Sequence, residues 1–537
     1  MLELSILAKA GIRIDESKWS LDDAEDSGLF DIKIRPLAIA FPKNKREVLD
    51  ILSVCQKEKI SVYPVSTGNN WGYGASAPTS QNNLLMNLKD MNQIFSFDEE
   101  RGTVEVGPGV TQGQLADFIK ESKWVLDCTG AGPDTSIVGN ILERGFGHGR
   151  KGDRSRYYTI TEAILANGKV LNLDQHLSYV GRAGLAAGLH EMFSQNNLAV
   201  ITKIKFELNL KAEESLRLLI RIPHRDHISE YVDALSQLKA EGTVDSFPHI
   251  GNEYRVLGMF ETFNFQKWSP ETGVPGDELK TLLNSRKIAP WSGVMVIAGN
   301  RKVALAMARR VRDALKEVAK VTIFSAYRLN RLNNLIQKSP KIFEFIPKFR
   351  AAKEFLDNFS LAMKSFEGPP TLMGLKGCYW RNPLKDQDMN GNPVKNGCGF
   401  FWLAPALPMS GNVVSDCLNE SRSKFEAMGF EFSVTLTAAS SHLCQAIISI
   451  YYNKLDPDET NRARDLANTL RADYEKKGWI RYRRGIDEMP IPENDIESDA
   501  LYLRSVIKRA LDPENIISPG RYQKASPKND MLSSMYH

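Results

Sequence analysis

The sequence predicts an α+β protein built as two domains. Three observations carry this. The chain has 537 residues, more than one ordinary hydrophobic core organises. Its first part alternates short apolar strands with amphipathic helices around two glycine-rich runs, Tyr63–Pro78 and Gly130–Gly152. From about Glu214 the texture changes to longer strands and helices that alternate in a βαβ-like way, which reads as a second α/β layer.

Taken in order, residues 1–35 are polar and partly helical. Pro36–Phe41 (PLAIAF) is a short apolar strand. Lys45–Glu58 spaces Val48, Leu49, Ile51, Leu52 and Cys55 as an amphipathic helix does. The apolar run Ile60–Tyr63 leads into the first glycine-rich loop. Leu84–Leu88 and Thr103–Val106 read as strands and Gln112–Glu121 as a helix. Ile160–Ala166 and Lys169–Leu173 flank Asn167-Gly168, a hairpin signal. His190–Ser194 is a short helix, and Leu198–Leu208 alternates as a strand.

In the second part, strands are expected at Arg217–Ile222, Gly293–Ala298, Val321–Phe324, Gly399–Leu403 and Ile447–Tyr452. Helices are expected at Ile228–Leu238, Lys302–Val318, Val414–Met428 and Glu459–Lys476. Residues 326–366 are basic and helical in pattern, and Asn382–Asn396 reads as a surface insertion. No internal repeat or low-complexity segment occurs.

Composition narrows the function classes. Hydrophobic residues make up 42% and charged residues 25%, ordinary for a globular protein, and the net charge is +4. No Lys/Arg block marks a nucleic-acid surface. The N-terminus lacks the pattern of a secretory signal, and no apolar run is long enough to span a membrane. Six sparse cysteines without C-x-x-C read as reduced buried thiols, which with the missing signal implies a cytoplasmic protein. Eight histidines show no ligand spacing, so no metal site is expected.

The first glycine-rich run, YPVSTGNNWGYGASAP, sets Gly68, Gly72 and Gly74 among Ser66, Thr67, Asn69 and Asn70. Such a loop turns several N–H groups onto one anion, and a pyrophosphate is the guest it suits. It is neither G-x-G-x-x-G nor a P-loop, and a glycine-rich surface turn is the alternative. The second run, GAGPDTSIVGNILERGFGHGRKG, suggests the other wall of one cofactor cleft.

These stretches resemble the vanillyl-alcohol oxidase / p-cresol methylhydroxylase family of FAD enzymes. The matching pieces run in order: PVSTGNNWGYGASAP, VEVGPGVTQGQL at Val104–Leu115, GNILERGFGHGRKGD at Gly139–Asp153, MFSQNNLAVIT at Met192–Thr202, GWIRYRR at Gly478–Arg484 and DPENIISPGR at Asp512–Arg521. The resemblance implies an FAD-binding domain of p-cresol methylhydroxylase type over 1–213, a substrate-covering cap over 214–477 and a return to the FAD domain over 478–537. It also implies a homodimer or larger.

The resemblance assigns site residues as well. Tyr73, Tyr482 and Arg483 match the family's clamp on a phenolic oxygen; read without it, Tyr73 is an aromatic lid and Tyr482 part of an exposed charged strand. A guanidinium carries a permanent charge and favours a phenolate in a dry pocket. A para-alkyl phenolate then becomes a good benzylic hydride donor to flavin N5, leaving a quinone methide. Asp134 and Asp127 are the candidate acid/base beside N5, though neither aligns cleanly; Asp134 also suits a turn after Pro133. His148, where vanillyl-alcohol oxidase has a tyrosine, either bonds the substrate or flavin or caps its loop.

For the cofactor, the resemblance places Ser66, Thr67, Gly68, Asn69, Asn70, Trp71 and Gly72 at the pyrophosphate. It places Ser136, Gly139, Asn140 and Gly147 beside the isoalloxazine, Val200 and Ile201 at the adenine end, and Arg521 as a cation near flavin N1–C2=O. Two departures stand out. Phe400 occupies the position of the family's covalent flavin link, so noncovalent FAD is expected, with Cys398 the alternative thioether site. The family's paired histidines are missing from the strand before Asn453-Lys454, where His442-Leu-Cys-Gln-Ala446 stands.

The expected activity is oxidation of a 4-substituted phenol or aryl alcohol, with molecular oxygen or a redox protein as acceptor. Ala199 replaces a family glycine, where its methyl would hinder oxygen. The rivals are a non-phenolic substrate whose carboxylate binds Arg483 or Arg484, and a non-catalytic flavin-binding protein.

Overall fold

A computed structural model of the chain describes residues 4–30, 32–174, 184–325, 369–384, 391–492 and 495–524. The expected basic helical stretch 326–366 and part of the 382–396 insertion lie outside the described residues.

The first glycine-rich loop leaves the edge of a four-stranded sheet. Strands Ala38–Phe41, Leu84–Asn87 and Val62–Val65 run parallel, with Val62–Val65 at one edge. Arg13–Asp15 adds to the other edge antiparallel, a strand the polar N-terminal sequence hides. The helix Lys45–Glu58 covers this sheet at the bounds its periodicity predicts. Asn44 caps it by accepting from the Glu47 N–H, and Lys59 ends it in the left-handed region at φ 55°. Its buried face, Val48, Ile51, Leu52 and Cys55, joins Val62, Leu84 and Met86 in one core.

A second, five-stranded antiparallel sheet carries the other wall. Its order is Ile94–Asp98, Thr103–Val106, Val200–Glu207, Tyr158–Ile164 and Val170–Leu171. The Asn167-Gly168 hairpin forms, with Gly168 at φ 78°. The segment Asp512–Arg521 returns to the first sheet: the Val62 N–H donates to Ile516 O (2.7 Å) and the Ser518 N–H to Val62 O (2.8 Å). Buried Lys508 locks this return, bonding Asp512 (2.6 Å), Ile517 O (2.8 Å) and Asn197 O (2.7 Å).

The covering sheet has eight strands drawn from Glu214 to Tyr452, all paired antiparallel. The βαβ-like alternation is thus realised without parallel pairs, because each helix returns the chain beside an antiparallel neighbour. One face buries Ile250, Val434, Leu436, Ile448, Ile450, Phe401 and Leu403 against helices Ile228–Ala240, Gly411–Ala427 and Pro457–Lys476. Strand alternation sends the intervening residues to the other face: Phe400 and Trp402, with their cross-strand partners Tyr451 and Ser449, then Ser433 opposite Ser449 and His249 opposite Thr437. That aromatic and polar face overlooks the cleft.

Two sequence expectations need correction. The N-terminal segment is shared between the two cores: Leu29, Phe30 and Ile34 join the covering domain's core, where the Tyr452 hydroxyl receives the Phe30 N–H. The described ends of the 382–396 insertion are also built in. Asn382 donates to Asn396 O (2.9 Å), and Val394 is buried.

Candidate active site

A cleft of about 1170 Å³, open solvent included, runs between the first glycine-rich loop and the second sheet. Ser66, Thr67, Gly68, Asn69, Asn70 and Trp71 form one wall, and Ser136, Gly139, Asn140, Ala199 and Ile201 the other. Gly68 holds φ 76°, open to glycine at little cost, and the main-chain N–H groups of Thr67, Gly68 and Asn69 bond no other described residue. This unspent donor row is what a pyrophosphate requires, so the residues present fit FAD. The loops are tied together: Thr67 accepts the Ser136 N–H (3.2 Å), and the Asn69 side chain donates to Asp134 O (3.1 Å).

Arg483 lines the cleft, and Tyr73 and Tyr482 stand behind it. Its guanidinium carbon sits 4.5 Å from the centre of the Tyr73 ring, its Nη2 donates to Asn70, and its Nε lies 3.3 Å from Glu143. Tyr73 is 2% exposed, and its hydroxyl makes no complete hydrogen bond. Burial, then the adjoining Tyr482, pushes the Tyr73 hydroxyl well above its ordinary pKa, against the pull of Arg483. Tyr73 is therefore a neutral donor. Tyr482 packs edge-on against Phe146, 5.7 Å between ring centres. The GWIRYRR segment is not an exposed strand: Arg481 is buried against Glu475 and Glu488, and Arg484 against Asp495 and Glu497. Arg484 is spent on those pairs away from the cleft, whereas Arg483 lines it.

Glu143 is the residue sequence reasoning missed. It is buried on the cleft wall and pairs with both Arg483 and Arg521, while Tyr522 donates to it at 3.1 Å. Arg521 also lines the cleft and reaches the Tyr63 hydroxyl (3.3 Å). One buried carboxylate thus ties the two cleft arginines together. Trp402 is a second omission; alternation from Phe400 along one strand would have found it. A Cβ on Gly72, whose φ is 70°, would fall 2.6 Å from its ring.

Several expected site residues stand elsewhere. Asp134 is exposed and contributes only its carbonyl, the turn role. Asp127 is buried beneath the second glycine-rich run, accepting N–H bonds from His148 (2.8 Å) and Gly149 (2.9 Å); it holds the loop. Gly147 belongs to that clamp, since a Cβ there would meet Asp127 at 2.5 Å. His148 packs on His249, ring centres 4.1 Å apart, and is outside the cleft lining. Burial drives His148 well below its ordinary pKa and His249 to about 4. Gly72 and Val200 are buried behind the cleft rather than on it.

Phe400 is fully buried, 5.8 Å from Trp402. Cys398 is buried too and receives the Asn382 amide. No helix among the described residues is long and apolar enough to cross a membrane, and no group of three or more His, Cys, Asp or Glu among them could hold a metal.

Comparison with known proteins agrees with this architecture. Residues 36–174 match the FAD binding domain family. The chain is 28% identical over 538 residues to 1'-carboxy-chondrochloren decarboxylase of Chondromyces crocatus, covering 96% of this chain and 95% of that one. It is 24% identical over 497 residues to the 4-cresol dehydrogenase [hydroxylating] flavoprotein subunit of Pseudomonas putida, covering 90% and 87%. Its fold superposes on 4-ethylphenol oxidase from Gulosibacter chungangensis, solved with isoeugenol, with a TM-score of 0.83 at 18% identity, covering 98% and 97%. With a cleft that fits FAD and a covering sheet above it, the chain is an FAD-dependent oxidoreductase that is similar along nearly its whole length to p-cresol methylhydroxylase-type flavoproteins.

Proposed function

We propose that the protein oxidises a para-substituted phenol bound through its oxygen to Arg483, Tyr73 and Tyr482. The carrying observation is the packing of the Arg483 guanidinium, which lines the cleft, over Tyr73, with Tyr482 adjoining. Arg483 supplies the charge that favours the phenolate. Tyr73, kept protonated by burial, and Tyr482 each offer an O–H to the same oxygen. Release of the phenolic proton pushes electron density through the ring and weakens the benzylic C–H bond toward hydride loss. Bound FAD supplies the two-electron acceptor. Asn70 and Glu143 hold the Arg483 head in place, and Trp402 and Trp71 give the ring an apolar wall. With Asp134 and Asp127 away from the cleft, water attack on the oxidised side chain proceeds without a carboxylate base from that loop.

Phe400 offers no nucleophile to a flavin, which supports noncovalent FAD. A second reading keeps the phenol clamp and adds a carboxylate on the side chain; the full-length similarity to a protein named as a carboxy-chondrochloren decarboxylase favours it.

The test is anaerobic addition of 4-ethylphenol to the FAD-loaded protein. Loss of the oxidised flavin absorbance, slowed about 100-fold or more in Arg483→Ala, is expected. No bleaching by 4-ethylphenol or by 4-hydroxyphenylacetate overturns the proposal.

A further inference from the structure

We infer that Arg255 and Tyr451 form a carboxylate-binding subsite in the covering domain, built for a substrate whose side chain carries an acid group. This rests on the second reading above. Arg255 follows strand His249–Asn252 and donates from Nη2 to Gly374 O at 3.2 Å. Its Nη1 is buried and has no hydrogen-bond partner. No carboxylate among the described residues pairs with it, because those nearby are committed. Glu253 holds Arg225 (2.6 Å) and Arg422 (3.0 Å), and Glu431 holds Arg381 (2.9 Å). Arg255 itself is only partly buried, but its Nη1 is a buried donor left unpaired, and an anionic ligand would complete its hydrogen-bond set.

The groups around Arg255 suit an anion. A Cβ on Gly377 would lie 2.9 Å from the Tyr451 hydroxyl oxygen and 3.1 Å from Arg255 Nη1, so the two heads converge on the bare Cα of Gly377. Ser433 and Ser449 stand on the same sheet face as Tyr451, and both hydroxyls face its phenol oxygen. Burial holds Tyr451 protonated, a donor, and His249 neutral.

The placement abuts the cleft wall. Tyr451 is the cross-strand partner of Phe400, on the face that sends Trp402 into the lining. Gly374, which Arg255 grips, packs against Gly130, and Ala131 beside it lines the cleft. Arg483 then holds the phenol end and Arg255 the acid end, so the two arginines divide a bifunctional substrate.

The test compares shape-matched pairs on the FAD-loaded protein by flavin absorbance perturbation: 4-hydroxyphenylacetate against 4-ethylphenol, and 3-(4-hydroxyphenyl)propanoate against 4-propylphenol. At least one acid should bind about tenfold or more tighter than its neutral match. That ratio should fall toward one in Arg255→Gln, fall partly in Tyr451→Phe and be largely kept in Arg255→Lys. If Arg255→Gln fails to fold, the Tyr451→Phe ratio decides. Acids that bind no tighter than their matches, or a ratio that survives both Arg255→Gln and Tyr451→Phe, overturn the subsite. Should no phenol bind or bleach the flavin, the phenol reading fails. The subsite is then judged on phenylacetate, whose binding must still depend on Arg255.

Discussion

The guanidinium of Arg483 lies 4.5 Å over the ring of Tyr73, a cation stacked on an aromatic face whose own hydroxyl completes no hydrogen bond. An unsatisfied buried hydroxyl costs stability, and in a binding site it marks where a ligand atom completes the set. Tyr73→Phe should therefore leave the melting temperature unchanged or raise the stability by about 1 kcal/mol, while lowering phenol turnover about tenfold or more. Thermal unfolding and anaerobic flavin reduction read the two effects separately. A clear loss of stability would show that the hydroxyl serves the fold.

Glu143 ties Arg483 to Arg521, and Tyr522 donates to it. Removing one partner of a buried ion pair leaves the other charge uncompensated, at about 3–5 kcal/mol. Glu143→Gln keeps the shape and should cost somewhat less, about 2–3 kcal/mol, with weaker FAD retention on dilution. Chemical denaturation and flavin fluorescence check both. An unchanged midpoint would mean that the two arginines need no carboxylate between them.

The pair His148–His249 predicts acid lability. The unfolded chain binds the His249 proton near its ordinary value of 6.5, the folded chain only near about 4. Protonation therefore favours unfolding, so this contribution is full above pH 6.5 and is lost as pH falls toward 4. Its upper bound is about 3 kcal/mol for His249, which is half-buried. Melting temperatures measured from pH 7 to pH 4 should fall, and fall less in His249→Gln.

Phe400 predicts how the flavin is held. Acid precipitation of the purified protein should release yellow FAD into the supernatant. Colour retained in the pellet would mean a covalent bond, and Cys398, Cys128 and His148 would be the residues to inspect.

Local signals made much of the fold legible. Lys45–Glu58 carries its apolar stripe and caps within a few residues, and Asn167-Gly168 writes its hairpin directly. The short strand His249–Asn252 carries no such period, yet it supplies half of the histidine pair and leads into Arg255. The glycine-rich loops and Arg483 stood out through resemblance. Glu143 lay within the GNILERGFG run, but its role depends on Arg521, 378 residues further on. Arg484 looked as available as Arg483 until Asp495 and Glu497 folded onto it. Asp134 and Asp127 misled because a carboxylate near a flavin loop looks the same in sequence whether it faces the ligand or clamps the loop.

The most direct measurement is the ionisation state of 4-ethylphenol bound to the FAD-loaded protein at neutral pH under anaerobic conditions. Ultraviolet difference spectra of wild type and Arg483→Ala would be recorded before flavin reduction proceeds. Wild type should show the phenolate band, and Arg483→Ala the neutral phenol band or no binding. Neutral phenol bound to wild type, or phenolate that persists without Arg483, would contradict this.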